Sequence, residues 1–266
     1  MGHAFRARLL RVCSGLATAG WLVPGPTGAQ DAPPIAAASD LQFALEEVAS
    51  AFQRDSGSEV RLVFGSSGNF ARQIEQGAPF QLFLSADEAL VFDLADKALT
   101  LDRGDLYAIG HIVLFAPKGS PLLGQLSAEG LRRAAADGTL KHLAIANPEH
   151  APYGRAAQQW LTTHRLWETV QPLLVLGENA SQAAQFAIAG DSQGGIIPYS
   201  IALAPRVSKA GSFVLLPAED HEPLRQRMVL LKNASATAER FYRYMQDTAA
   251  REIMRRYGFG LPDESQ

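Results

Sequence analysis

From residue 35 onward the chain alternates between two hydrophobic rhythms. The continuous apolar run Ile35-Ala36-Ala37-Ala38 predicts a buried strand. After Ser39-Asp40, the apolar residues Leu41, Leu45, Val48, Ala49 and Phe52 recur at three- and four-residue spacing, which predicts an amphipathic helix with Ser39 or Asp40 as its N-cap. The unit then repeats. Val60-Arg61-Leu62-Val63-Phe64 reads as a strand, Gly65-Ser66-Ser67-Gly68-Asn69 as a tight polar turn, and Phe70 to Gln76 as a short helix stopped by Gly77. Gln81 to Leu84 is a further strand, leading through Ser85-Ala86-Asp87-Glu88 into a helix.

The middle of the chain keeps the same grammar. Strands are expected over His111–Ala116, His142–Ala146 and Leu173–Leu176, and helices over Tyr153–Thr163 and through Phe186 to Ala189. Near the end, Arg227 to Leu231 reads as a returning strand and Ala236 to Tyr257 as one long helix with Phe241, Met245, Ala249 and Ile253 on its apolar stripe. Strands alternating with helices imply an α/β fold with mainly parallel sheets. At 266 residues the chain is long enough for two lobes with a ligand site between them.

The first thirty residues break this pattern. Arg6, Arg8 and Arg11 precede the mostly apolar stretch Val12–Val23, then Pro24-Gly25-Pro26 and Thr27-Gly28-Ala29. This is the order of a secretory signal peptide, with the cut expected after Ala29 and a periplasmic destination for the rest. Losing the three arginines moves the formal charge from −3 to −6, which argues against a nucleic-acid partner. The lone cysteine, Cys13, lies in the leader with Arg11 close before it, a poor setting for a lipid anchor. The exported chain therefore has no thiol for a disulfide or a metal site.

Candidate chemistry sits in the polar turns that follow strands and precede helices: Ser39-Asp40, Gly65-Ser66-Ser67-Gly68, Pro152-Tyr153-Gly154 and Glu178-Asn179-Ala180-Ser181. In open α/β sheets such turns face one crevice, and the unpaired N–H groups of helix first turns point into it, each helix end carrying roughly half a positive charge. Several of these ends, with serine hydroxyls, can hold an oxyanion without a basic side chain. The turns contain no lysine, and only Arg155 directly follows one. Enzyme signatures are weak: the serine turn lacks Gly-x-Ser-x-Gly spacing, no nucleotide-binding loop is present, and His111, His142, His150, His164 and His221 show no metal-ligand spacing.

As an ordered set, the segments Ala36–Leu41, Phe64–Asn69, Ala71–Ile74, Gly77-Ala78-Pro79, Leu84–Asp87, Asn147–Gly154, Glu178–Ala183 and Arg256–Phe259 resemble the periplasmic molybdate-binding proteins of ABC transporters, a branch of the class II solute-binding proteins. The resemblance covers nearly all of the exported chain. It implies a two-lobed periplasmic-binding-protein fold, each lobe a mainly parallel sheet flanked by helices, joined by two crossover strands. Lobe 1 would comprise residues 30–111 and 231–266, and lobe 2 residues 112–230. It also implies one molybdate or tungstate dianion between the lobes and a membrane permease as partner, with no cofactor, no catalysis and a monomeric chain. Carried over residue by residue, the oxyanion donors fall on Ser39, Ser67, Tyr153 and Ala180, with Asp40 as a backbone donor beside the first. Some members add a tyrosine at the end of a Gly-rich strand; here that position is Pro198, and Tyr199 follows it as the candidate.

Three rival readings make different demands. A sulfate or phosphate binder would call for an arginine or an added acceptor in the turns, and a sensor subunit would differ only in its membrane partner. An exported hydrolase would pair Ser67 with His150.

Overall fold

The computed structural model describes residues 32–190 and 192–262; the predicted leader and its cleavage point lie outside them. Among these residues ten strands form two five-stranded sheets. The first sheet holds β1 (Pro34–Ala38), β2 (Arg61–Gly65), β3 (Leu82–Ser85) and β4 (Asp105–Gly110); the second holds β5 (Ile112–Pro117), β6 (Leu143–Ala146), β7 (Leu174–Gly177), β8 (Gly195–Pro198) and β9 (Gly211–Leu215). The last strand, β10 (Leu224–Leu230), returns to the first sheet.

The strand orders, β2-β1-β3-β10-β4 and β7-β6-β8-β5-β9, are the same topology used twice. In each sheet four strands run one way and the fifth runs against its two neighbours: β10 between β3 and β4, and β5 between β8 and β9. That reversed strand is in each case the one arriving from the other lobe. Only His111 separates β4 from β5, and the return runs from β9 through residues 216–223 into β10. Two crossings therefore join the lobes. The sequence boundary at residue 230 needs correction, because β10 pairs Val229 with Phe83 and Gln226 with Ala108, so lobe 1 resumes at Leu224.

Eleven helices cover the sheets among the described residues. They are α1 (Gln42–Ser56), α2 (Ser67–Glu75), α3 (Glu88–Asp96), α4 (Ala128–Ala136), α5 (Pro152–Thr163), α6 (Trp167–Val170), α7 (Ala180–Ile188), α8 (Tyr199–Ala202), α9 (Pro205–Ser208), α10 (Ala236–Tyr244) and α11 (Thr248–Arg256). The period-two alternation of the strands divides the core of lobe 1: Ile35, Ala37, Leu82 and Leu84 pack on one face of the sheet, Ala36, Phe83 and Val229 on the other. Phe52 of α1 is buried edge-on against Phe241 at 5.2 Å and Tyr244 at 5.4 Å, tying α1 to α10.

Two local expectations change. The predicted helix over 236–257 is broken after Tyr244, where Gln246 and Asp247 donate back to Arg243 and Tyr244 in tight turns and Asp247 turns extended. The break shifts the helical phase, so Ala250 is buried in place of Ala249. Neither Ser39 nor Asp40 caps α1; they form a 3-10 turn, Ser39–Leu41, with no side-chain cap, because both side chains are committed elsewhere.

Phe52→Ala would remove a ring wedged between two helices and leave a cavity. Urea unfolding should show a loss of about 3–5 kcal/mol, with the midpoint falling at unchanged slope.

Candidate functional site

Strands β1, β2 and β3 of one lobe and β6 and β7 of the other end at a shared crevice. The turns beyond them enclose a small cavity, about 190 Å³ including its mouth, whose wall includes Ser39, Asp40, Ser67, Tyr153 and Ala180. Five of the six residues singled out in the sequence are thus brought together. Tyr199 is not: its ring lies edge-on to Phe213 at 5.9 Å and against Gly258, with its N–H given to the His111 carbonyl, so the candidate role for Tyr199 is withdrawn. Its neighbour Ser200 is buried and donates to the Asp40 carbonyl at 2.8 Å.

Local structure prepares the donors. Ser67 and Ala180 are the first residues of α2 and α7, and Tyr153 is the second of α5, where Pro152 has no N–H to offer. N–H groups at these positions have no acceptor within their helix. Ser67 Oγ accepts from the Ala86 N–H at 3.0 Å, and Ser39 Oγ accepts from the Ser181 N–H at 3.2 Å. In both cases a backbone donor occupies a hydroxyl lone pair and leaves the hydroxyl proton to be given away. Ser66 is used differently, since its hydroxyl donates to the His150 carbonyl at 2.6 Å.

The lobes are stitched together around this cavity. The His150 carbonyl of lobe 2 accepts from Ser66 Oγ and from the Gly68 N–H at 3.0 Å, and a side chain at Gly68 would meet that oxygen at 2.6 Å. Ser181 Oγ donates to the Ser39 carbonyl at 2.8 Å. Asn69 bonds Glu178, and Arg155 pairs with Asp87 across the crevice. Two hydrogen bonds converging on one carbonyl, flanked by an ion pair, describe a closed arrangement. The hydrolase pairing is absent: His150 Nδ1 lies 3.0 Å from Ser66 Oγ, which has already given its proton to the His150 carbonyl, so His150 is aimed at a spent hydroxyl next to Ser67.

Behind the cavity sits a buried polar hub. Asp40 is only 1% exposed. Its Oδ2 accepts from Tyr153 Oη at 2.9 Å and from Gln226 Nε2 at 2.6 Å, while Tyr107 Oη donates to Gln226 Oε1 at 2.8 Å. Burial pushes the Asp40 carboxyl up to about 6, against the opposing pull of the Gln226 and Tyr153 hydrogen bonds. Burial, with Asp40 facing them, also pushes Tyr107 and Tyr153 well above the ordinary phenol range, so both remain neutral donors. Gly110 lets the hub close, because a Cβ there would lie 2.3 Å from Tyr153 Oη. The sequence reading missed Gln226 and Tyr107. A signal was present for Gln226: it occupies the buried phase of β10 with Leu224 and Met228, the one polar side chain where the alternation calls for an apolar one.

Against known proteins, residues 34–260 match the family model described as bacterial extracellular solute-binding protein. The chain belongs to this family. It is 34% identical to the molybdate-binding protein ModA of Rhodobacter capsulatus over 84% of this chain and 86% of that one. It is likewise 34% identical to ModA of Azotobacter vinelandii, over 85% of this chain and 89% of that one. The solved periplasmic molybdate-binding protein of Azotobacter vinelandii superposes with a TM-score of 0.78 at 31% identity, covering 87% of this chain and all of that one. Among the described residues no helix is long and apolar enough to cross a membrane.

Gln226→Leu would strip Asp40 of one donor and leave Tyr107 Oη unpaired. The expected cost is about 1–3 kcal/mol in urea unfolding. It should be larger at pH 8 than at pH 5, because the amide stabilises the ionised carboxylate, which the folded chain holds only above about 6.

Proposed function

We propose that this protein captures molybdate, and tungstate with it, in the cleft between its lobes and delivers the anion to the permease of an ABC transporter from the periplasm. The observation that carries the reading is the convergence of three helix starts and two hydroxyls, Ser39 and Ser67, whose oxygens are already occupied by backbone N–H groups. Such a site presents protons from several directions and suits a tetrahedral dianion. In this reading the backbone N–H groups of Ser67, Tyr153, Ala180 and Asp40 and the two serine hydroxyls grip the anion's oxygens, with no bond from protein to metal. The likeness to molybdate-binding relatives over most of the chain supports the choice of anion.

The donors come from both lobes, so only the closed form satisfies the ligand fully, and the anion favours closure by its differential affinity for that form. A permease can then distinguish loaded from empty by shape. Capture calls on no cofactor and involves no bond making, which makes the protein a carrier rather than an enzyme, acting as a monomer without nucleic acid. Sulfate is smaller than molybdate, and donors set for the larger anion would reach it only through lengthened hydrogen bonds.

Thermal unfolding with molybdate, tungstate, sulfate or phosphate at equal ionic strength tests the proposal. Molybdate and tungstate at about 100 times their Kd should each stabilise the chain by about 2.7 kcal/mol, whereas sulfate and phosphate should leave the midpoint unmoved; no shift with any of the four refutes it. Ser67→Ala should weaken molybdate binding by roughly ten- to a hundredfold, as expected for losing a hydrogen bond to a charged group. Gly68→Ala, which sets a methyl group against the His150 carbonyl, should also weaken binding, by at least about tenfold in titration calorimetry, through a closed form it cannot reach, with the urea midpoint of the ligand-free protein little changed.

A further inference from the structure

The hub behind the cleft contains one loose end. Asp40 Oδ2 is fully engaged by Tyr153 and Gln226, but Asp40 Oδ1 is buried with no hydrogen-bond partner, and Asp40 forms part of the cavity wall. A bare, buried carboxylate oxygen is unfavourable by itself and would be doubly so beside a bound dianion. Resting on the oxyanion reading above, we propose that Asp40 carries a proton whenever the cleft holds its dianion, so that capture takes up one proton.

The surroundings leave Asp40 as the group that must respond. Facing it are Tyr153 from α5 and Tyr107 from β4, both neutral, and Gln226 from β10. The flanking Arg225 and Arg227 of β10 are turned to Glu88, at 2.5 and 3.0 Å. From α8, Ser200 meets the Asp40 carbonyl, and α7 and α2 bring Ala180, Ser181 and Ser67, none of which carries charge. His150, on the turn before α5, is directed at Ser66 and, 3.6 Å away, Glu178. Among the described residues these contacts set no cation against Asp40 to offset its charge, while a proton would remove the repulsion between that charge and the anion. Burial already holds this carboxyl near 6, and an adjacent dianion pushes it higher still.

Isothermal titration of the purified protein with sodium molybdate, in two buffers of different ionisation enthalpy, measures the protons exchanged. At pH 7 the wild type should take up about one proton per anion, and its Kd should rise about tenfold per pH unit between roughly pH 6.5 and 8. Asp40→Asn should bind with no proton uptake and a flat Kd over that range. Zero uptake by the wild type, or the same uptake by Asp40→Asn, overturns the proposal, the second result assigning the proton to another group. Infrared difference spectra of the wild type, which need no variant, should gain a protonated-carboxyl band on adding molybdate; its absence also overturns the proposal. Failure of the wild type to bind molybdate or tungstate at any pH from 5.5 to 8 would instead refute the oxyanion reading and this inference with it.

Discussion

The closed arrangement depends on one buried carboxyl group. Asp40 stands at the end of β1 in lobe 1, and its Oδ2 receives a phenol from lobe 2 and an amide from β10. An acidic group that deep is tolerated only with donors around it, and here the donors come from elements far apart in sequence. Asp40, Tyr153 and Gln226 thus hold together the cavity wall, the start of α5 and the strand that returns from lobe 2. The 3-10 turn before α1 follows from the same commitment: a side chain used for the hub cannot also cap a helix.

Around this hub the two sheets supply the geometry. Each lobe points the C-terminal ends of its parallel strands at the other, so the starts of α2, α5 and α7 meet across the crevice without long loops. The stitching is made largely of backbone groups, as in the Gly68 N–H and Ser66 hydroxyl converging on the His150 carbonyl. Backbone donors hold their positions more rigidly than lysines or arginines would, and rigidity is what a site needs if it is to discriminate anions by size.

Much of this was legible in the sequence because it is written locally. Runs such as Ile35–Ala38 and the polar turns after them announce strand, turn and helix start in contiguous residues. What escaped is non-local. Gln226 and Tyr107 join the hub through strand pairings more than a hundred residues apart in sequence, and neither stands in a motif. Tyr199 was mislaid for the opposite reason: a tyrosine after Pro198 matches a local pattern, but packing against Phe213 and Gly258 sets its direction. The placement of β10 and the break after Tyr244 were likewise decided by pairing and packing rather than by periodicity.

The interleaved order of the first sheet has a consequence for how the chain acquires its shape. Lobe 2 is built from a continuous stretch, whereas lobe 1 needs β10, inserted between β3 and β4 after all of residues 111–223 have intervened. Until Leu224–Leu230 is available, β3 and β4 have unfilled edges and Asp40 lacks its amide partner. Long-range pairings of this kind close late. The lobe that begins the chain is therefore the last to be completed, its sheet waiting on a strand made only after the other lobe.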